Sequence, residues 1–173
     1  SAALPGDAAV VFDNPSAIGP LRRLSVEGAY ARLPDDSWYT TGAAGLRVGR
    51  VSAGGGYRFA DFADGPVQDN LQRVGAPSSR LRGIHVGASG KYVALKDTSG
   101  TVARSLTNDL GVTVAVFDIA ALALAFQNMG RARLSGAGID LPHSTHLGLS
   151  FNLIDTYSNG RLLAAVETIW TEG

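Results

Sequence analysis

The stretch from Asp109 to Gln127 constrains the fold more than any other part of the chain, because it has the pattern of two β-strands with very different faces. Side chains alternate between the two faces of a strand, so every second residue lies on the same side of a sheet. One side of this stretch, which we call the bulky face, carries mostly large apolar residues: Leu110, Val112, Val114, Val116, Ala120, Leu122, Leu124 and Phe126.

These faces also predict how the two strands pair, since paired residues in an antiparallel ladder share a face. Residues 117–119 then form a three-residue loop, which is a common hairpin connection. A two-residue turn would instead place bulky side chains beside the alanines of the opposite face. The pattern predicts three pairs: Val116 with Ala120, Val114 with Leu122 and Leu110 with Phe126.

The opposite side of the hairpin, the small face, is unusual for a soluble sheet, which would show water a row of Lys, Glu, Thr or Arg. In a membrane barrel the arrangement is inverted, with large apolar side chains facing lipid and small or polar ones facing the interior. The hairpin favours this inverted arrangement. A soluble β-sandwich or closed barrel with the bulky face inside stays open as the alternative. The small face consists of Asp109, Gly111, Thr113, Ala115, Ala121, Ala123, Ala125 and Gln127.

Composition agrees with a glycine-rich β-protein of one domain. Of 173 residues, 17% are charged, against roughly 25% in ordinary soluble domains, and 22 are glycine. The net charge of zero implies no nucleic-acid partner, and the lack of cysteine excludes disulfides and thiolate metal sites. The longest apolar run, Ile119 to Phe126, is far shorter than the roughly 18 residues of a transmembrane helix. Because Ser1 is not followed by signal-peptide features, we expect any export signal to lie outside this sequence.

The N-terminal residues 1–22 precede the first alternating pattern. Asn14-Pro15 and Gly19-Pro20 mark turns, and the run between them is too short for a stable helix. We therefore expect at most a single helical turn or coil in this segment. A turn is also expected at Pro34-Asp35-Asp36, after a first strand that begins near Leu24.

A second hairpin is predicted around Gly49-Arg50. A two-residue turn there pairs residues of matching faces, and glycine at its first position suits the primed turns of hairpins. Residues 61–79, by contrast, break the alternation and are predicted to form the longest exposed loop. The predicted pairs of the hairpin are Val48 with Val51 and Leu46 with Ala53.

The chain as a whole predicts about eight strands of roughly 9 to 12 residues, a length that suits strands that span a bilayer. An eight-stranded barrel is narrow and is normally filled by its own side chains. A small face rich in Gly and Ala leaves room, so either further strands widen the barrel or residues 1–22 fill it. Aromatic residues lie towards the strand ends, as in an interfacial girdle: Tyr30, Trp38, Tyr39, Tyr57, Phe59, Tyr92, Tyr157 and Trp170.

The sequence offers little catalytic chemistry. His143 and His146 lie three residues apart, which places them on opposite faces of a strand and disfavours a shared metal ion. There is no GxSxG motif, and the sequence suggests no constellation of Ser, His and carboxylate. We expect no enzymatic activity, no catalytic residues, no metal and no cofactor. Asp109 and Glu167 are expected to form interior ion pairs with Arg47, Arg58 or Lys91.

Several short motifs carry a resemblance to a known family. The run GDAAVVFDNPSAIG at 6–19 resembles the N-terminal signature of FadL-type outer-membrane barrels, and in particular of the PorV-like branch. Ser16 and Ala17 stand where that family has Ala and Gly. Further similar motifs follow in order along the chain: GxxxKY at 87–92, NDLGV at 108–112, QNMG at 127–130 and LPxxxxLGLS at 141–150.

The resemblance implies an outer-membrane β-barrel whose N-terminal segment enters the interior as a hatch. It implies passage of hydrophobic small molecules, as in FadL, or a role in secretion and assembly of surface proteins, as in PorV-like members. Family barrels have more strands in a longer chain, so a shortened form and a fragment of a larger barrel are both open. Strand number, barrel orientation and oligomeric state are left open too.

The expected fold is therefore an all-β, antiparallel transmembrane β-barrel of about eight strands, with residues 1–22 as a hatch-like segment and 23–173 as barrel strands. The expected location is the bacterial outer membrane. Expected partners are membrane lipid, a hydrophobic ligand or detergent, and a secretion-system or surface protein. The alternative is a soluble antiparallel β-sandwich or barrel that acts as a binding module. The resemblance marks Asn14, Pro15 and Gly19 as hatch residues, and the alternation marks six polar residues as facing the interior: Arg47, Arg58, His85, Lys91, Asp109 and Gln127.

Overall fold

The chain is all-β, with two short 3₁₀ helices before the first strand. The computed structural model describes residues 8–19, 23–61, 67–76, 83–96, 101–116, 119–130, 141–152 and 163–172. The 3₁₀ helices are Ala8–Phe12 and Pro15–Ile18. The strands are β1 (Leu24–Arg32), β2 (Trp38–Val48), β3 (Val51–Asp61), β4 (Val67–Ala76), β5 (Ile84–Lys96), β6 (Val102–Val116), β7 (Ala120–Met129), β8 (His143–Asn152) and β9 (Leu163–Glu172).

The strands follow one another in space in the same order as in the sequence, and every neighbouring pair is antiparallel. Strands β1–β3 and β5–β9 form blocks of three and five strands, and β4 pairs with both β3 and β5 to join them into one sheet. Within the described ranges no pairing links β1 with β9. The all-β antiparallel class that the alternation predicted is therefore present, and closure into a barrel stays a prediction.

Strand β4 contradicts the predicted loop at 61–79 over residues 67–76, and it brings the described strands to nine where about eight were predicted. Its sequence, VQDNLQRVGA, lacks regular alternation of apolar residues, so no period-two signal marks it. The strand forms because β3 and β5 offer backbone partners on both sides, from Ser52 to Ala60 and from Ala88 to Lys96. Backbone pairing, rather than a hydrophobic pattern, identifies this strand.

The hairpin registers predicted from the faces are confirmed. In β6 and β7 the pairs are Val116 with Ala120, Val114 with Leu122 and Leu110 with Phe126. Phe117 and Asp118, in the predicted loop, lie outside the described residues. The pairs of Val48 with Val51 and of Leu46 with Ala53 are likewise present. Gly49 has a φ of 62°, the left-handed conformation that the first position of a primed turn requires.

The two faces of the sheet are inverted relative to a water-soluble protein. On β6 and β7 the bulky face is exposed, with Leu106 at 74%, Leu122 at 49% and Phe126 at 40% of full exposure, while Ala123 and Ala125 on the small face are fully buried. Burial of the bulky face, which the soluble β-sandwich would require, is therefore not found. The large apolar side chains of this sheet point away from the only core that it forms in the described ranges.

Aromatic side chains gather on the bulky face where β1, β2 and β3 approach the same end of the sheet. Trp38 lies between Tyr30, with ring centroids 6.1 Å apart, and Phe59, with centroids 4.9 Å apart. Trp170 on β9 is also exposed. Tyr157 of the predicted girdle lies outside the described residues.

No helix in the described part of the chain has the length and hydropathy needed to cross a membrane.

The two 3₁₀ helices, with the linking residues, form the docked segment (residues 8–19). Asn14 caps the second helix by accepting a hydrogen bond from the Ser16 backbone amide, and the helix ends at Ile18 after one turn, as expected from the flanking turn residues. The segment contacts strands β1 to β6. A flat sheet covers only one side of a segment, yet Asn14, Ala17 and Ile18 are completely buried, so the sheet curves around them.

Candidate functional site

The candidate site is the small face of the sheet where the docked segment lies. Four glycines make room for it. A β-carbon on Gly54 would meet Ile18, one on Gly56 would meet Phe12, one on Gly87 would meet Pro15, and one on Gly111 would meet Asn14, each at 2.5 Å or less, which is closer than real β-carbons approach other atoms. Only residues without a side chain allow the segment to come this close to the strands. The glycine positions thus specify where the segment docks.

Polar contacts fix the segment in that position. The Asn14 side-chain amide donates to the Thr113 hydroxyl at 3.2 Å, and its carbonyl oxygen accepts from the Ser16 hydroxyl at 2.7 Å. The Ser16 and Thr113 hydroxyls also lie 2.7 Å apart. All three side chains are fully buried. We call this cluster the Asn14–Ser16–Thr113 latch. The Ser16 hydroxyl therefore binds the segment to Thr113 of β6.

A β-bulge brings a second anchor, Gln127, to the segment. The pairing of β6 with β7 shifts between Asn108 and Leu110, so that two residues of β7 lie opposite Asp109. The Asp109 carboxylate accepts a hydrogen bond from the Asn128 backbone amide at 2.8 Å, which stabilises the bulge. Gln127 then donates to the carbonyls of Phe12, at 3.2 Å, and Asp13, at 2.8 Å. These bonds satisfy backbone groups at the junction of the two 3₁₀ helices.

Replacing Gln127 by Leu should loosen the docked segment, because the near-isosteric apolar side chain cannot donate to either carbonyl. Loss of such bonds costs about 1–2 kcal/mol, or roughly a tenfold rise in the undocked population. The chain has no cysteine, so Ala17→Cys introduces a unique thiol at a fully buried position. Its rate of reaction with a maleimide measures undocking. Thr40→Val, which removes a hydroxyl bonded to Ala29 outside the segment, is the control and should leave the rate unchanged.

Asp109 also forms the interior ion pair that the sequence predicted. Its carboxylate lies 3.2 Å from the Lys91 ammonium, and the two side chains are only 1% and 12% exposed. The Ser89 hydroxyl donates to the other carboxylate oxygen at 3.3 Å. The pair links β5 to β6 on the small face, beside the glycines that receive the segment. The Asp109 carboxylate therefore forms the ion pair with Lys91 and also stabilises the bulge that positions Gln127.

The remaining predicted interior residues also lie on the small face, in three different settings. The Arg58 guanidinium stacks over the Phe12 ring at 4.6 Å from its centroid, a cation–π contact with the segment. His85 is buried and lies opposite Thr113 in the ladder. Arg47 lies at the C-terminal end of β2 and donates to the Gly49 carbonyl at 3.1 Å. Of the hatch residues, Asn14 and Pro15 enter the glycine-lined site, and Gly19 ends the segment with its amide donating to the Ser16 carbonyl.

A separate polar cluster on β8 and β9 corrects the expectation that no Ser, His and carboxylate come together. The Ser144 hydroxyl lies 3.1 Å from Nε2 of His146, and Nδ1 of the same ring lies 3.0 Å from the Glu167 carboxylate. Glu167 thus contacts His146, a partner that the sequence did not predict for it. His143 is exposed on the other face, and no group of three or more metal-ligating side chains occurs within the described ranges.

Sequence reasoning missed Phe12, Ser16, Thr113 and Ser144 as site residues. Ser16 and Thr113 are separated by 97 positions and meet only once the sheet is formed. The available signal for Thr113 was its place on a face of glycine and alanine, where a lone hydroxyl must find a partner. For Ser144 it was the i, i+2 spacing from His146, which places both side chains on one face of a strand.

Comparison of the chain with protein-family models, curated protein sequences and solved structures gives no significant match. The FadL and PorV-like resemblance accordingly remains a hypothesis based on the motifs quoted above.

Proposed function

We propose that this chain forms the wall of a FadL-like or PorV-like β-barrel in a bacterial outer membrane, with the docked segment as a hatch that controls the passage of hydrophobic small molecules. The observation that carries the proposal is the inverted arrangement of the sheet. Its bulky face is exposed along β1, β2, β5, β6, β7 and β8, and its small face is buried against the hatch. A lipid environment favours this arrangement, because each exposed apolar side chain would be solvated by acyl chains.

The free-energy cost of exposing the bulky face to water supports the membrane proposal. Apolar surface in water costs roughly 25 cal/mol per Å², and soluble monomers rarely expose continuous apolar patches larger than a few hundred Å². Neighbouring strands here place exposed Val, Leu and Phe side chains next to each other, as in the pairs of Leu110 with Phe126 and of Leu122 with Leu149. The aromatic cluster around Trp38 supports the proposal further, since such rings favour the membrane interface.

Arginine on the bulky face should weaken insertion into lipid. Leu124→Arg places a charge on the bulky face near the middle of β7, where its cost in a bilayer is about 2–4 kcal/mol. We expect a corresponding loss of free energy of folding into phospholipid vesicles, measured by urea titration of the heat-modifiable folded band. Ile119→Arg, at the turn of the β6–β7 hairpin, is the control and should cost about 1 kcal/mol or less. Equal effects at the two positions, or a wild-type chain that stays monodisperse without detergent, would overturn the membrane assignment.

The fit of the docked segment supports its role as a hatch. Its apolar residues Val11, Phe12 and Ile18 form a cluster with Ala43 of β2, and this is the main apolar core of the described chain. The segment is short and is anchored by a few side-chain bonds and four glycine-lined contacts, with no strand pairing of its own. Because each contact is individually weak, displacement of the whole segment requires only the loss of a limited set of bonds.

A disulfide across the latch tests the hatch directly. The Ser16 and Thr113 hydroxyl oxygens lie 2.7 Å apart, so cysteines at these positions are close enough to be bridged without a large movement of either chain segment. We expect the oxidised Ser16→Cys/Thr113→Cys protein to stop uptake of a fluorescent fatty acid into vesicles, and the reductant to restore it. The two single variants are the controls. Equal uptake by the oxidised and reduced forms would contradict passage that depends on the segment.

A scaffold for secreted or surface proteins is the second candidate, and the complete burial of Asn14, Ala17 and Ile18 favours it, since a tightly filled interior suits a barrel that conducts nothing. It predicts that neither redox state of the double-cysteine protein admits the fatty acid. The passage function predicts uptake in the reduced state. The same vesicle assay therefore separates the two candidates.

A further inference from the structure

Three side chains on β8 and β9 form a continuous hydrogen-bonded chain that the hatch does not use. Ser144 and His146 are two residues apart on β8 and share a face, and Glu167 reaches them from β9, where it pairs with Gly148. The distances are 3.1 Å from the serine hydroxyl to Nε2 and 3.0 Å from Nδ1 to the carboxylate. The residues belong to two adjacent, paired strands, so the backbone holds them in a fixed relation.

The order of the three groups determines where the protons lie. A carboxylate only accepts hydrogen bonds, so Nδ1 of His146 carries the proton that it donates to Glu167. In the neutral ring Nε2 is then the acceptor, and it receives the hydroxyl proton of Ser144. This is the arrangement that activates a serine: a base that is hydrogen-bonded to the nucleophile and oriented by a carboxylate.

We propose that Ser144, His146 and Glu167 form a nucleophilic site that cleaves carboxylic esters with hydrophobic acyl chains. The geometry of the three groups carries the proposal, together with their partial accessibility, since the His146 and Glu167 side chains are 11% and 19% exposed. Ester cleavage goes beyond the passage of hydrophobic molecules. It rests on the proposed function only for the class of substrate, a hydrophobic molecule on the small face.

The surroundings of the site suit an apolar acyl chain. Ile169 lies opposite His146 in the ladder and shares its face, and it is 54% exposed. Ala165 lies on the same face but is separated from Ile169 by Glu167, so Ile169 is the apolar side chain next to the triad. Thr171 pairs with Ser144, which places its hydroxyl next to the nucleophile. An ester whose acyl chain packs against Ile169 would bring its carbonyl carbon to Ser144.

The reaction has two steps. Ser144 Oγ attacks the ester carbonyl while Nε2 of His146 takes the hydroxyl proton, and the alcohol leaves with that proton as the C–O bond to it breaks. Water then attacks the acyl-serine, with His146 again taking a proton and returning it to Ser144 Oγ as the free acid departs. Glu167 stays ionised throughout and stabilises the imidazolium that forms in each step. Thr171 donates a hydrogen bond to the developing oxyanion.

Covalent labelling tests the nucleophile in the full chain folded in detergent. We expect a fluorophosphonate probe to modify Ser144, identified by peptide mass spectrometry, and p-nitrophenyl esters of long acyl chains to be hydrolysed faster than short ones. Ser144→Ala should remove the labelling and lower hydrolysis by roughly 10³-fold or more, and His146→Gln should have a similar effect. Glu167→Gln should lower hydrolysis by about 10²-fold or more, because the amide no longer holds the ring in the required tautomer.

Ser150→Ala is the matched control, because Ser150 lies on the same strand and the same face but six ladder positions away from the Ser144 pair with Thr171. It should leave both labelling and hydrolysis unchanged. Folding of every variant is checked by heat-modifiable migration and by insertion into vesicles. A folded wild-type chain that is not labelled at Ser144, or that hydrolyses esters no faster than Ser144→Ala, overturns the nucleophilic site. Because vesicle insertion is measured separately, that outcome is distinguishable from failure of the membrane proposal.

Discussion

Gly111→Val should release the docked segment from the sheet. A β-carbon at position 111 would overlap the Asn14 side-chain oxygen and would lie 3.2 Å from the Ser16 hydroxyl, so the latch and a valine cannot occupy the same space. Overpacking of this kind costs about 1–3 kcal/mol, and the latch bonds are lost with it. We expect maleimide labelling of Ala17→Cys to become roughly 10²-fold faster in the Gly111→Val background.

The matched control for this variant is Gly42→Val on β2. Gly42 is also a strand glycine, but a β-carbon there meets no atom within 4 Å, so the valine changes strand composition without touching the segment. Valine also favours strands, so neither substitution weakens the sheet through intrinsic preference. Similar labelling rates for the two variants would mean that the glycine at 111 does not determine docking.

Asp109→Ala should cause the largest loss of stability among single substitutions of the interior. It leaves the Lys91 ammonium buried without its carboxylate, and it removes the acceptor that stabilises the bulge at Asn128. Removal of one partner of a buried ion pair costs about 3–5 kcal/mol. We expect a decrease of that size in the free energy of unfolding, measured by urea titration of the protein folded in vesicles. Loss of the bulge should also increase labelling of Ala17→Cys.

Two comparisons show whether the effect comes from the uncompensated charge. The double substitution Lys91→Met/Asp109→Leu removes both charges and should recover a large part of the loss, because apolar residues of similar volume often replace buried pairs at little cost. Asp36→Ala breaks the Arg32–Asp36 pair, whose side chains are 66% and 79% exposed, and should change stability by about 1 kcal/mol or less. A double variant as unstable as Asp109→Ala would contradict the charge explanation.

The alternation of bulky and small residues was sufficient to predict the registers of the hairpins. Paired residues must lie on the same face, so a register that paired bulky with small residues was excluded. The pairs of Leu110 with Phe126 and of Val48 with Val51 follow from this rule alone. The ion pair of Asp109 was predictable for a similar reason, since a carboxylate on a face of alanine and glycine requires a basic partner. The sequence offered three basic candidates, and only the strand order selected Lys91.

The contacts that the sequence did not predict depend on the arrangement of distant strands. Strand β4 lacks an apolar pattern and is defined by the backbones of β3 and β5. The latch joins residues from opposite halves of the chain. The close approach of Asn14 to Gly111 could not be predicted without knowing how the sheet curves. The cluster of Ser144, His146 and Glu167 requires β9 to lie beside β8. Composition and the spacing within one strand do not predict that adjacency.

The sequential order of the strands has a consequence for the order of folding events. Within the described ranges each strand pairs only with its neighbours in the chain, so the sheet grows by closing short loops, which is rapid. The docked segment is different: Asn14 bonds to Thr113, 99 positions away, and Gln127 bonds to Asp13, 114 positions away. These bonds cannot form before β6 and β7 are in place. Protection of a thiol at position 17 therefore reports, in real time, that the sheet has been completed as far as β7.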